Sequence, residues 1–137
     1  MKNSKIFLFI SILFLCTGCP DQDKFDPNRE IRIVNSSDMD LVELRTERLL
    51  SDTLLPISSP FTDQIFIEFA TIKSGSSILI PVESETVREY GLTLFLLSYD
   101  TLLSVPWEQI RENNLIEMRY DLTLEDLEDM DWTIIYP

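Results

Sequence analysis

The chain has no histidine and only three glycines among its 137 residues. Without histidine, the Ser/His/Asp and Cys/His nucleophilic systems, histidine-ligated zinc and a histidine pH switch are excluded. Three glycines are too few to favour a glycine-rich loop that cradles phosphate. The sequence therefore predicts no catalytic residue, no metal site and no cofactor, and it favours a protein that is not an enzyme.

Basic residues are also scarce, with 11 Lys and Arg against 24 Asp and Glu and a net charge of −13. Lys2 and Lys5 both lie in the first 18 residues, so the rest of the chain carries a charge of −15. Such a chain repels phosphate backbones, which argues against nucleic-acid binding. It also repels an anionic bilayer, so membrane contact would need a covalent anchor.

The first 18 residues have the pattern of a cleaved signal peptide. Lys2 and Lys5 form a charged start, and residues 6–16 form an apolar run that only Ser11 interrupts. As a helix this run would rise about 16 Å, whereas a permanent span needs about 20 apolar residues. The run is therefore too short to remain in the membrane and is typical of a secretory leader.

The junction between the leader and the rest of the chain reads Leu15-Cys16-Thr17-Gly18-Cys19, which resembles the lipobox of bacterial lipoproteins. Leu15 stands one place earlier than the leucine of the usual lipobox, and Cys16 takes that leucine's position. The resemblance implies cleavage between Gly18 and Cys19 and lipid attachment at Cys19, with a diacylglycerol on the thiol and a further acyl chain, such as palmitate, on the amine. Two or more chains anchor a protein stably. The alternative is an ordinary secretory signal, after which Cys19 has no internal disulfide partner because no other cysteine follows it.

Residues 19–28 are predicted to be a lipidated tether, because they hold two prolines, four charges and a single large apolar residue. Asp21 and Asp23 lie just behind Cys19. This resembles a signal that, in one group of Gram-negative bacteria, sends lipoproteins to the outer face of the outer membrane. We therefore predict a lipid-anchored outer-membrane protein, either surface-exposed or facing the periplasm.

Residues 29–137 are predicted to form one β-rich domain. The predicted fold class is mostly β: a two-sheet antiparallel β-sandwich, immunoglobulin-like or related, with two short C-terminal helices. The predicted strands cover residues 29–34, 39–50, 65–72, 77–82, 92–99, 115–122 and 132–137.

Two of these strands are informative about burial. Residues 92–99 are apolar on both faces, which predicts a central strand buried on both sides. Residues 39–50 alternate well enough to favour a strand over a helix, with Val42 and Leu44 inward and Glu43 in water.

The middle of the chain is predicted to contain a hairpin and two loops. A turn at residues 74–76 is expected to join the strands on either side of it, and Pro81 suits an edge strand. Residues 51–62 are predicted to be a loop that packs down onto the core, and residues 83–91 a polar loop.

The two predicted helices cover residues 106–113 and 123–130. Trp107 and Ile110 are three residues apart, so both are expected to face the core. Thr123 is expected to cap the second helix, with an acidic residue at the capping-box spacing. Between the central strand and the first helix, a turn is predicted at Asp100.

The C-terminal third also resembles a known family. It contains the run RYDLTLEDL at residues 119–127, then WTI at residues 132–134 and a terminal YP. With residues 33–40 and 51–54, these segments resemble a family of small lipoproteins of anaerobic gut-type Gram-negative bacteria. The resemblance implies a strand at residues 40–48 and supplies no catalytic residue, since the family has no assigned activity.

Two functions remain open from the sequence. The first is a lipid-anchored, non-catalytic accessory or binding module of the cell envelope, with envelope proteins as partners. The alternative is a glycan-binding or glycan-processing surface lipoprotein, in which Trp107 and Trp132 would be exposed, ligand-facing aromatic residues. Burial of both tryptophans would remove the support for this alternative. An inhibitor or peptide-binding sandwich would instead need an open sheet edge or a projecting loop.

Overall fold

The computed structural model describes residues 28–50, 55–61 and 63–137. The predicted signal peptide, Gly18, Cys19 and nearly all of the predicted tether lie outside the described residues. The described chain forms seven strands and five short helices. In chain order they are β1 (Asn28–Asn35), β2 (Leu41–Thr46), α1 (Gln64–Phe69), β3 (Thr71–Ile72), β4 (Ser77–Glu83), α2 (Ser84–Tyr90), β5 (Leu92–Ser98), α3 (Tyr99–Ser104), α4 (Trp107–Glu112), β6 (Met118–Leu122), α5 (Leu124–Asp129) and β7 (Thr133–Tyr136).

The strands form two sheets, which confirms the predicted mostly-β, two-sheet fold. One sheet has three strands in the order β4-β1-β7, and the other has four in the order β3-β2-β5-β6. Every pair is antiparallel except β1 and β7, which run parallel. The C-terminal strand therefore completes the sheet that the first strand begins.

The main hydrophobic core lies between the two sheets. Along β1 the side chains alternate as predicted, with the isoleucines inward and Glu30 and Arg32 on the outer face. The buried residues that the two sheets contribute include Ile31, Ile33, Ile80, Val82 and Ile134 from the first sheet and Leu92, Leu94, Leu96 and Leu122 from the second.

A second core covers the opposite face of the four-stranded sheet. Phe95 and Leu97 of β5 point into it, and they pack against Trp107 and Ile110 of α4 and against Leu55. The predicted central strand, buried on both faces, is thus confirmed. Helix α4, with Leu102 of α3 packed beside it, covers this face of the sheet, which is why β5 has no polar face.

The segment predicted as a strand over residues 65–72 is instead a helix followed by a two-residue strand. The carboxylate of Asp63 accepts a hydrogen bond from the backbone N–H of Ile65 at 3.2 Å and caps the start of α1. The alternation of large apolar residues was misleading because several of them are not buried, and Phe69 is 83% exposed.

The predicted hairpin is also wrong, although its turn is present. β3 pairs with β2 and β4 pairs with β1, so the chain crosses from one sheet to the other at this turn. Gly75 adopts a φ of 68° there, which suits glycine. Pro81 lies on β4, an edge strand, as predicted.

Two further helices replace predicted loop or turn segments. The predicted loop over residues 83–91 contains α2, which ends at Gly91. Gly91 has a φ of 73°, and a Cβ there would lie 2.6 Å from the Leu49 side chain. The predicted turn at Asp100 lies within α3, whose first turn is capped by the hydroxyl of Ser98. The two predicted C-terminal helices are confirmed as α4 and α5, and Thr123 and Asp126 form the capping box.

Asn35, at the end of β1, holds the turn into β2. Its buried side-chain amide donates to the carbonyl oxygens of Met39 at 2.7 Å and Ile72 at 3.0 Å. Its Oδ1 accepts from the backbone N–H and the hydroxyl of Ser37. One side chain thus joins β1, the turn and β3.

We expect Asn35→Ala to destabilise the domain by about 1–3 kcal/mol, because it removes the donor to the buried Ile72 carbonyl and to the partly buried Met39 carbonyl. Chemical denaturation would measure the change. Asn113→Ala is the matched control, since the Asn113 side chain makes one exposed hydrogen bond to Gln109. Equal losses in the two variants would contradict this role for Asn35.

Candidate functional site

The position at which the chain enters the domain is fixed by β1. Asn28 pairs with Glu83 of β4 at one end of the three-stranded sheet. We call this the tether end, and it also includes Trp132, whose ring lies 4.9 Å from the Arg29 guanidinium carbon. Cys19 precedes Asn28 by nine residues, so covalent geometry limits the distance between them to about 30 Å.

Trp132 occupies an unusual backbone position between α5 and β7. Asp131 and Trp132 have φ values of 50° and 55°, in the left-handed region that side chains other than glycine rarely adopt. Each such residue costs roughly 1–2 kcal/mol. The backbone N–H of Trp132 donates to the Leu127 carbonyl at 2.8 Å, and the Trp132 carbonyl accepts from the Arg32 N–H at 2.8 Å. These bonds fix the Trp132 backbone despite the strain.

The Trp132 indole is 8% exposed, and its Nε1–H is buried without a hydrogen-bond partner. Among the described residues, only Glu43 has another side-chain atom in this state. A buried donor without an acceptor costs about 1–3 kcal/mol. Trp132 therefore combines a strained, left-handed backbone with a buried N–H donor that has no described partner.

A depression of about 560 Å³ opens beside Trp132 on the outer face of the three-stranded sheet. We call it the Trp132 depression. The register places Arg32 opposite Leu79 on one side and Thr133 on the other, so their side chains share this face. The charged and aromatic residues that line it are Arg29, Glu30, Arg32, Asp131 and Trp132.

The charges of the Trp132 depression balance. Two arginines and two carboxylates line it, and none of the four forms an ion pair with a described residue. This differs from the Lys73–Asp40 and Arg119–Asp121 pairs elsewhere, which close at 2.8 and 2.9 Å. Within the described part of the chain, the depression thus holds charged groups of both signs that have no ion-pair partner.

Trp107 lies in a different environment. Its indole is 9% exposed, and its Nε1–H donates to the Pro56 carbonyl at 3.1 Å. Phe61 meets it edge to face at 6.2 Å between ring centroids. These contacts place Trp107 at the edge of the second core, where it packs the loop before α1 against α4.

Neither sequence-predicted tryptophan is an exposed platform. Both indoles are buried, so the condition that the glycan alternative required is not met. Sequence reasoning selected Trp132 but missed Arg29 and Arg32. They reach it only through the pairing of β1 with β7, which local sequence does not reveal.

Glu43 was predicted to face water, but its side chain is only 12% exposed. Its Oε1 accepts from Arg45 Nη1 at 2.8 Å, while Oε2 has no partner. Glu43 pairs with Leu96 across β2 and β5 and so points toward the main core. Burial raises the pKa of the Glu43 carboxyl, and the nearby Arg45 only partly offsets this.

No group of three or more His, Cys, Asp or Glu residues in the described ranges is placed to hold a metal ion. Within the same ranges, no helix is long and apolar enough to span a bilayer. No family model matches the chain, and no curated protein or solved structure matches it either. The resemblance to small gut-type lipoproteins therefore stays a prediction.

Because the folded chain holds the Glu43 proton more tightly than the unfolded chain, the stability from this group is present at low pH. It is lost as pH rises through the raised pKa. Glutamine does not titrate, so Glu43→Gln removes this contribution. Between pH 4.5 and pH 7.5, we therefore expect the free energy of unfolding to fall less in Glu43→Gln than in the parent protein.

Urea unfolding at both pH values would measure the difference. The exposed Glu47→Gln is the control, and it should keep the parental pH dependence. An unchanged pH dependence in Glu43→Gln would contradict the assigned effect of burial.

Proposed function

We propose that this chain is a lipid-anchored lipoprotein of the cell envelope whose folded domain is a non-catalytic binding or accessory module. The observation that carries the proposal is a leader that ends at Gly18, directly before Cys19, in a chain that has no later cysteine. A cleaved leader of this kind exports the protein, and acyl chains on Cys19 hold it at the membrane.

The charge of the chain supports a covalent anchor. A mature chain with a charge of −15 gains nothing from an anionic lipid surface, so electrostatic adsorption would not retain it. A single acyl chain binds marginally, whereas the multiple chains implied at Cys19 give stable attachment. The lipid therefore supplies the membrane affinity that the protein surface does not.

The topology of β1 supports a defined orientation. The tether end lies within about 30 Å of the anchored residue, and the eight residues of β1 carry the chain roughly 25 Å away from it. At the far end, Asp40 accepts from Lys73 Nζ and from the backbone N–H of Ser74, both at 2.8 Å. These bonds join the turn between β1 and β2 to the turn between β3 and β4. On this proposal, the two turns form the surface that faces away from the membrane.

The outer membrane is the proposed location, and Asp21 and Asp23 favour its outer face. A periplasm-facing anchor is the second candidate. The glycan alternative loses the support that exposed tryptophans would have given it, because Trp107 and Trp132 are both buried.

Anchoring is tested by Cys19→Ser, which we expect to abolish incorporation of labelled fatty acid, because the thiol is the acceptor. Cys16→Ser is the matched control and should keep full labelling, since Cys16 leaves with the leader. Labelling that persists in Cys19→Ser would show that the lipid is elsewhere or absent.

Surface display is tested by adding protease to whole cells. The parent protein should be degraded, and the double variant Asp21→Ala, Asp23→Ala should be protected, because the acidic signal is gone. Gln22→Ala, which removes no charge, is the control and should stay degradable. Protection of the parent protein would place the domain on the periplasmic side.

A further inference from the structure

We propose that the Trp132 depression binds a zwitterion with a phosphate and a primary ammonium group, presented as the phosphoethanolamine headgroup of the anchoring membrane. The source of the ligand rests on the proposed lipid anchor, whereas the ligand chemistry rests on the described side chains alone.

The donors in the depression fit the phosphate half of this ligand. Arg29 and Arg32 line it without a carboxylate partner among the described residues. A guanidinium presents its N–H groups in a planar fork that matches phosphate oxygens. The Trp132 ring completes this side of the lining, with the Arg29 guanidinium carbon 4.9 Å from its centroid.

The acceptors fit the ammonium half. Glu30 and Asp131 line the same depression and also lack a described ion-pair partner. A simple anion would meet these two carboxylates as well as the two arginines, so it would be opposed as much as attracted. A ligand with charges of both signs satisfies all four groups, which is the electrostatic complementarity that gives specificity.

The backbone holds the site ready. The left-handed backbone at Trp132 is held by hydrogen bonds to the backbone of Leu127 and Arg32, so its conformation needs no ligand. Local strain is often retained where it serves a function. Here it holds Trp132 where the residue both joins the main core and lines the depression.

The location of the depression selects the membrane as the source. It lies at the tether end, where the chain is closest to Cys19. The strongly acidic domain is repelled by anionic lipid but not by a neutral, zwitterionic surface. Binding of such headgroups would hold the tether end of the domain against the membrane to which the acyl chains attach it.

The test uses the chain from residue 19 onward with Cys19→Ser, so that no acyl chain contributes. In an amide-nitrogen correlation spectrum, the two indole signals serve as reporter and internal control. Titration with soluble phosphoethanolamine should shift the Trp132 signal saturably and leave the Trp107 signal in place. Trp107→Phe assigns the two signals.

Vesicle flotation tests whether the phosphoethanolamine group is supplied by a membrane lipid. The protein should float with phosphatidylcholine vesicles that contain phosphatidylethanolamine, and not with pure phosphatidylcholine or with vesicles containing phosphatidylglycerol. Arg32→Gln should weaken both responses at least tenfold. Arg48→Gln makes the same charge change at an exposed arginine outside the depression and should leave both unchanged.

Three results would overturn the proposal: no Trp132 shift at millimolar phosphoethanolamine, an equal loss in both arginine variants, or a shift without flotation, which would exclude the membrane as the source. Because this protein lacks Cys19, these results are independent of acyl labelling. A failed anchor and a failed headgroup site are therefore distinguishable.

Discussion

Strand β5 is buried on both of its faces, and the arrangement of the domain follows from this. Its even-numbered leucines need one apolar partner layer, and Phe95 and Leu97 need another. The three-stranded sheet supplies the first layer, and α4 with the loop around Leu55 supplies the second. Burial of a large apolar side chain is worth about 1.5–3 kcal/mol, so no arrangement that exposes one face of β5 would compete.

Thr93 is the one fully buried polar residue of β5, and its hydroxyl is hydrogen-bonded on both sides. Thr93 donates from its hydroxyl to Asp121 at 2.8 Å and accepts from the backbone N–H of Leu50 at 3.1 Å. The hydroxyl thus links β6 to the chain that follows β2. The buried polar group is satisfied on both sides, in contrast to the Trp132 indole and the Glu43 carboxyl.

β1 organises the other sheet and sets the position of the candidate site. Because β7 runs parallel to β1, the start of β7 lies at the end where the chain enters the domain. That pairing brings Trp132 to Arg29 and Arg32, from positions that are about a hundred residues apart in the sequence. The proposed lipid anchor, the domain and the Trp132 depression are thereby connected through a single strand.

The elements that could be predicted from the sequence are those with a clear local pattern. β1 and β5 have clear apolar patterns, and α5 has a capping box at Thr123. The helix α1 was missed because Ile65 and Phe69 alternate like strand residues, yet both are exposed. An exposed apolar residue carries no information about the period of burial.

The candidate site could not be predicted from local sequence patterns, because its features depend on contacts between distant segments. Trp132 was recognisable as an aromatic residue, but its left-handed backbone and its unsatisfied N–H depend on the turn that follows α5. Glu43 was assigned to water because it alternates with apolar residues. Its burial depends on the inward face of β2, which the sequence pattern of one strand does not identify.

The central claim is that Cys19 becomes the lipidated N-terminus of the mature protein. Mass spectrometry of the protein extracted from membranes tests it most directly. The account predicts an N-terminal peptide that begins at Cys19, lacks residues 1–18 and carries the added mass of a diacylglycerol and a further acyl chain. An N-terminal peptide that contains unmodified Cys19, or one that retains the leader, would contradict it.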